Sequence, residues 1–371
     1  LKKHIIIATL YAFGGSNAHL KTLIEYLGAE NVLLLLEDKS QLALLKNIEG
    51  ANDLKVRIQP GIHPHAHLQY NFTTNVKELF FIIRSIIVLQ ALSAVNAFAD
   101  ITICATVPEK HLYLLWLPFC KVYYILHTTP VKRHTSFTPY TCNHTLGKRK
   151  KIITVSNANK NTLCQNWEIA PDRQAFVMVV YNCVGMDSTQ CDSDMEYVQN
   201  TKTITTLGQL IEYKNPATWL EVAKRVTAAR PQARFQWLGN GPLLDYYAQA
   251  TYEDDRITFK GLVTQPGEYL KNTAIYYQPS LYETHGIAVV EAMSHGLPCV
   301  VSDTGGLPES VEDGYNGRLV GATDIQAHVN AIIGLVDDDG LCRQYGRNSR
   351  SKYLQTFTYD AFKRKMDEVY A

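Results

Sequence analysis

The sequence predicts an α/β protein made of two doubly wound, Rossmann-like domains, and three observations carry that expectation. Short apolar, β-branched runs bounded by turn residues alternate with helix-length stretches from one end of the chain to the other. Such runs read as strands of parallel sheets covered on both faces, and the alternation occurs twice over. The length, 371 residues, is about twice that of a typical single domain. Hydrophobic residues make up 46% and charged residues 19%. That is an ordinary globular composition, which excludes a disordered, collagenous or coiled-coil chain.

In the front half the expected strands are Ile5–Thr9, Val32–Leu36, Lys55–Ile58, Ile101–Ala105, Val122–Leu126, Ile152–Val155 and Phe176–Val180. Between them lie helix-length segments such as Asn17–Leu27, Thr74–Ala97 and Asn157–Trp167. The back half offers Thr203–Leu207, Arg234–Leu238, Arg256–Lys260, Ala274–Gln278, Pro298–Ser302 and Gly317–Val320. Its helices include Pro216–Ala229, Ile287–His295 and Asp324–Val336, and the polar stretch Gly185–Gln199 is the expected join.

The net charge of +1 hides an asymmetry. Residues 1–186 hold 19 Lys and Arg against 11 Asp and Glu, a balance of +8; residues 187–371 hold 17 against 24, a balance of −7. Two modules of opposite sign suggest different partners. The eight cysteines include no C-x-x-C pair and read as reduced, mostly buried thiols of a cytoplasmic protein. The apolar start Leu1–Ile7 is too short for a signal peptide and reads as the first strand. The stretch Leu79–Ala99 is membrane-like, but Arg84 interrupts it, and a spanning helix needs about 20 apolar residues. It is expected to be a buried or interfacial helix.

In open α/β sheets ligands bind beyond the carboxyl ends of strands, so the residues just after each strand are the informative ones. Gly14-Gly15 follows the first strand and allows a close approach of backbone to an anion, or simply a tight turn. Gly239-Asn240-Gly241 has the same character and lacks the third glycine of a dinucleotide fingerprint. The most informative run is Glu283-Thr284-His285-Gly286-Ile287-Ala288-Val289-Val290-Glu291, followed by Gly296-Leu297-Pro298 and Thr304-Gly305-Gly306-Leu307-Pro308-Glu309. Gly286-Ile287 opens a helix whose amides can point at a phosphate. Glu291, one turn further in on the same side, is placed to accept hydrogen bonds from a ribose diol.

This run resembles the donor-site signature of retaining GT-B glycosyltransferases of glycosyltransferase family 4. Their E-x7-E motif, A-M-x-x-G-x-P turn and G-G-x-x-E loop are all present in order. Gly14-Gly15, Ile152–Ser156, Asn182-Cys183-Val184 and Leu207–Lys214 extend the likeness over most of the chain. Glutamine at 209 replaces the arginine that the family places there. Residues 60–100 and 130–150 carry no family signal.

The resemblance implies a GT-B fold. Residues 1–186 would bind the acceptor and 187–371 the nucleotide sugar, and a C-terminal helix at about 358–371 would pack back on the first domain. It also implies transfer of a sugar, with retention and without a metal or other cofactor, from a nucleotide-diphosphate sugar to a glycan or lipid-linked acceptor, as in polysaccharide biosynthesis. Lys214 would hold the diphosphate with the amides of Gly15, Gly286 and Ile287 and with Gln209 nearby. Glu291 would bind ribose and Glu283 the sugar hydroxyls, with Val263 against the base. His127 would stand near the sugar and the attacking oxygen, followed by Thr128. His127, Lys214 and Glu283 are thus the expected catalytic residues. A sugar-nucleotide epimerase and a non-catalytic glycan-binding subunit share this fold, and Gln209 keeps the second reading open.

Other features are set aside. Asp192-Ser193-Asp194 has the D-x-D form of a metal–diphosphate site but lies in the polar join, so no metal is expected. His63, His65 and His67 read as a loop. Lys148-Arg149-Lys150-Lys151 reads as a solvated charge run or, within the basic half, as a contact to an anionic membrane surface; a peripheral position at the inner face is the corresponding expectation. No nucleic-acid partner is expected.

Overall fold

The computed structural model describes residues 3–10, 15–36, 39–47, 54–58, 72–96, 98–105, 108–109, 111–130, 137–184 and 202–371. Cys191, the histidines at 63, 65 and 67, Gly14, Asp192–Asp194 and the polar stretch 185–199 lie outside them. The chain divides into two compact units, residues 1–181 with 365–371, and residues 182–364.

The first unit holds seven strands: β1 (His4–Ala8), β2 (Val32–Leu36), β3 (Lys55–Ile58), β4 (Asp100–Ala105), β5 (Val122–Leu126), β6 (Lys150–Thr154) and β7 (Val177–Val179). They form one parallel sheet in the order β3-β2-β1-β4-β5-β6-β7. The second unit holds β8 (Thr203–Leu207), β9 (Arg234–Leu238), β10 (Ile257–Gly261), β11 (Ile275–Gln278), β12 (Cys299–Ser302) and β13 (Gly317–Val320). Its parallel order is β10-β9-β8-β11-β12-β13. Both sheets therefore start in the middle, wind to one edge, and return beside the first strand to wind the other way. All the expected strands form, with ends displaced by at most two residues.

Continuous apolar strands are the reason the sheets are covered on both faces. Every residue of β1, β5, β11 and β12 is buried. In the second unit Trp219 stands edge-on to Trp237 at 5.4 Å. Its indole N–H donates to Thr206 Oγ1 at 2.7 Å, and that of Trp237 to the carbonyl of Gly208 at 2.8 Å. Each ring thus buries its apolar body while its one polar atom stays paired. The seven described cysteines are all buried free thiols.

The last helix, Tyr359–Tyr370, ends among residues of the first unit. The Tyr370 hydroxyl lies 2.8 Å from Thr102 Oγ1, and its ring centroid is 4.3 Å from that of Tyr123. Lys151 Nζ donates to the Val369 carbonyl at 2.5 Å and Lys121 Nζ to that of Tyr370 at 3.1 Å. Ammonium groups at a helix C-terminus meet the orphan carbonyls and the negative end of its dipole.

These bonds correct the reading of the basic run. Lys150 is buried, and its Nζ donates to the carbonyls of Leu117 and Cys120 at 2.5 and 2.6 Å. Burial lowers its pKa to about 8. Only Lys148 and Arg149 of the four are exposed, because β6 begins inside the run and carries the other two into packed surroundings.

Candidate functional site

The reversal of winding in the second unit falls between β8 and β11, and the crevice rule for open sheets points to the loops after those two strands. Lys214 follows β8 and Glu283 follows β11. The two side chains form a buried ion pair, Lys214 Nζ to Glu283 Oε1. Burial alone would depress the Lys214 ammonium; the charge of Glu283 and its hydrogen bond outweigh that and raise its pKa.

Glu283 is held from further sides. Its Oε1 also accepts from Gln278 Nε2 at 2.7 Å and from Ser280 Oγ at 3.0 Å. Gln278 Oε1 in turn accepts from the Tyr276 hydroxyl at 2.6 Å, and that hydroxyl meets the backbone of Leu207 at the end of β8. Three donors on one carboxylate oxygen are what keeps a buried negative charge tolerable. Gln278, Ser280 and Tyr276 were not anticipated. A glutamine closing an otherwise apolar strand, Ile275–Gln278, was the available sign.

Backbone geometry fixes the loop that carries Lys214. Asn215 takes the left-handed conformation, φ 60°, and its side chain caps the helix Pro216–Ala229 by accepting from Thr218 N. Its amide also donates to the carbonyls of Pro279 and Ala322, each at 3.1 Å. One asparagine thereby ties the loops after β8, β11 and β13 together. Leu281 N donates to the Tyr213 carbonyl at 2.8 Å, a further bond between the Lys214 and Glu283 loops.

The glycines have distinct reasons. Gly286 is left-handed, φ 87°, and caps the helix Ile287–Ser294. Gly305 is left-handed as well, and a Cβ there would lie 1.9 Å from the Glu283 carbonyl oxygen. The T-G-G loop thus presses on the backbone of Glu283, with Gly306 N donating to the same oxygen at 2.9 Å. Gly239 and Gly241 pack on the carbonyls of Gly208 and Leu210, where a Cβ would come within 2.0 and 2.4 Å. They permit the loop after β9 to touch the loop after β8, which accounts for them without an anion.

Glu291 sits in the helix Ile287–Ser294, half-buried, and its carboxylate has no hydrogen-bond partner among the described residues. Burial pushes its pKa up to about 7. His285, fully buried with its ring 5.4 Å from that of Phe357, is lowered by burial to about 4 and is neutral at pH 7. Gln209 is half-buried after β8, and its side chain makes no hydrogen bond among the described residues. Val263 is half-buried in the loop after β10.

In the first unit His127 follows β5 as expected, and Gly15 opens the helix Gly15–Leu27, exposed. The ring of His127 meets that of His19 edge-on at 4.5 Å. Burial, and then the neighbouring His19, hold its pKa well below the usual range. A neutral imidazole offers hydrogen bonds and a dipole but no charge. Ser156 caps the helix Asn157–Asn166 by accepting from Asn159 N at 3.0 Å, and Asn159 donates to the Thr128 carbonyl at 3.3 Å. Among the described residues no three His, Cys, Asp or Glu side chains cluster as metal ligands would.

Residues 194–352, spanning most of the second unit, match the family described as "Glycosyl transferases group 1". The chain is 29% identical over 179 residues to the Escherichia coli UDP-Gal:alpha-D-GlcNAc-diphosphoundecaprenol alpha-1,3-galactosyltransferase, covering 46% of each. It is 26% identical over 226 residues to the MMP alpha-(1->4)-mannosyltransferase of Mycolicibacterium hassiacum, 59% of this chain and 53% of that protein. It thus spans about half the length of both. Among solved structures, Anabaena HepE in complex with UDP and glucose superposes with a TM-score of 0.74 at 16% identity, over 100% of this chain and 99% of that one. Staphylococcus aureus TarM gives 0.76 at 11% identity over 100% of both. These likenesses extend over both units and show the fold. The second unit thus carries the match to the group 1 glycosyltransferases, and the chain as a whole has the GT-B fold.

Proposed function

We propose that the protein is a retaining, metal-independent glycosyltransferase that moves a sugar from a nucleotide-diphosphate sugar to a glycan or lipid-linked acceptor. The observation that carries this reading is the buried Lys214–Glu283 pair at the reversal of the second sheet, beside the left-handed Gly286 helix start. A relative named for transfer from UDP-Gal to a diphosphoundecaprenol-linked sugar supports the donor and acceptor classes.

In this reading the Lys214 ammonium meets the negative charge that gathers on the departing diphosphate, and the amides of Gly286 and Ile287 add their dipoles. Glu283, with Oε1 already taking three donors, presents its other oxygen to sugar hydroxyls. His127, neutral, hydrogen-bonds on the acceptor side. The first unit, basic in the sequence, binds the acceptor, at the cytoplasmic side of the cell.

The test is a thermal-shift panel of UDP, GDP and ADP and their sugars, followed by transfer or hydrolysis assays in EDTA. A ligand present at 100 times its dissociation constant adds about 2.7 kcal/mol. Turnover that survives EDTA supports the reading, and turnover restored only by added metal removes its metal-free part. Gln209, which brings no charge, favours one second reading, a glycan-binding subunit; binding of a glycan with no turnover of any donor would select it.

Glu291 gives a pH prediction. Its native pKa near 7 lies above that of an exposed carboxylate, so the native state favours the protonated form. Its contribution to stability is therefore fully present below the unfolded pKa and is lost as pH rises through about 7. A ribose diol donates to the ionised carboxylate, so nucleotide affinity should rise as pH increases through the same range. Glu291→Gln should flatten both profiles and weaken nucleotide binding by about tenfold or more, as expected for hydrogen bonds to a charged group. Titration calorimetry with the nucleotide at pH 6 and pH 8 checks it, and identical affinities in the wild type would remove the ribose assignment.

A further inference from the structure

Over its described side chains, from 80 to 95, the helix Phe72–Val95 buries one face and leaves the opposite face exposed, although both carry apolar residues. Ser85, Leu89 and Ser93 point inward, with Ile82, Ile86 and Leu92 packed beside them on the core. Turned away at helical spacing are Phe80, Ile83, Ile87, Ala91 and Val95, all exposed, with Arg84 among them. The exposures reach 71% at Phe80, 61% at Ile87 and 78% at Val95. Isolated exposed apolar residues are ordinary, but a stripe running four turns of helix is not.

The stripe continues past the helix end. Phe98 is 66% exposed in a left-handed conformation, φ 56°, that a bulky side chain rarely adopts. Its chain is tied back by Ser93 Oγ donating to the Ala99 carbonyl at 2.8 Å. Alongside, Phe119 is 66% exposed, and its N–H donates to Gln90 of the helix at 3.4 Å. Arg149 donates to the Phe119 carbonyl at 2.6 Å, which sets an exposed guanidinium, with exposed Lys148 next in the chain, at the rim of the patch.

We propose that this face seats on an anionic phospholipid surface, with the helix lying in the plane of the interface. The apolar stripe enters the boundary between headgroups and acyl chains, and Arg84, Lys148 and Arg149 meet the phosphates. No helix among the described residues is long and apolar enough to cross the membrane, which leaves lying on it. Charge argues against a second copy as the occupant: two fronts each carrying +8 over residues 1–186 repel when brought face to face. The basic run is only a partial contributor, since Lys150 and Lys151 are spent on backbone carbonyls.

The test is flotation of the whole chain with vesicles of equimolar phosphatidylglycerol and phosphatidylcholine, against vesicles of phosphatidylcholine alone. Binding to the anionic vesicles, released by salt, is expected. Arg84→Ala should weaken it about fivefold. Ile83→Glu with Ile87→Glu should weaken it more than about tenfold, since two buried apolar side chains are lost from the contact. Both positions are solvent-exposed, so the melting temperature should hold; Ile87→Ser is the milder variant if it does not. Absence of binding, equal binding to the neutral vesicles, or binding indifferent to these substitutions overturns the proposal. So does a dimer in light scattering that the substitutions dissociate, because the face then belongs to a second copy. Vesicles contain no sugar donor, so the result stands apart from the catalytic reading.

Discussion

Replacing Lys214 with alanine should remove at least about 100-fold of the turnover, the scale of losing one preorganised donor to a developing negative charge. It should also destabilise the protein by about 3–5 kcal/mol, because Glu283 is left as an uncompensated buried charge. The two losses have separate origins and can be parted. Lys214→Met together with Glu283→Gln removes both charges while keeping volume, so the melting temperature should recover toward the wild type. Turnover should not recover. Thermal unfolding beside a donor-hydrolysis assay reads both. A double variant with normal turnover would move the diphosphate site elsewhere, and one with no recovery of stability would deny that the charges compensate each other. Gln209→Arg should be tolerated, and it should tighten diphosphate binding because a charge-assisted bond is about twice as strong as a neutral one.

Gly305→Ala should be the most damaging single methyl group in the second unit's site. The left-handed backbone costs a side chain roughly 1–2 kcal/mol. The new Cβ would also stand 1.9 Å from the Glu283 carbonyl oxygen, so backbone must move. A loss above about 4 kcal/mol is expected, with Glu283 displaced from its three donors. The melting temperature should fall by about 8 °C or more, and sugar-nucleotide binding should weaken with it. Gly334 is the control. It lies in the helix Ile325–Asp337 with nothing within 4 Å of an added Cβ, so Gly334→Ala should stabilise by about 0.5–1 kcal/mol. If both variants melt together, the close approach at Gly305 does not bear on stability.

The amino-acid sequence by itself determined the architecture. Continuous apolar strands such as Val122–Leu126 and Cys299–Ser302 can only be buried on both faces, and their alternation with helices leaves a doubly wound sheet as the solution. It also marked Glu283 and Glu291 by their spacing around Gly286-Ile287, and Lys214 by the likeness of Leu207–Lys214 to a family segment. Tertiary structure alone decided which groups share an oxygen. Gln278 and Ser280 converge on Glu283 Oε1 through the fold of one loop, and Asn215 joins three loops far apart in the chain. The basic run divided for the same reason: β6 starts within it, and charge written along a chain says nothing about which carbonyls a folded neighbour presents. The helix Phe72–Val95 is the clearest case, since a sequence apolar on every side does not say which side is covered. Packing of Leu89 and its neighbours against the first core settled that, and so left Phe80, Ile83 and Ile87 facing outward.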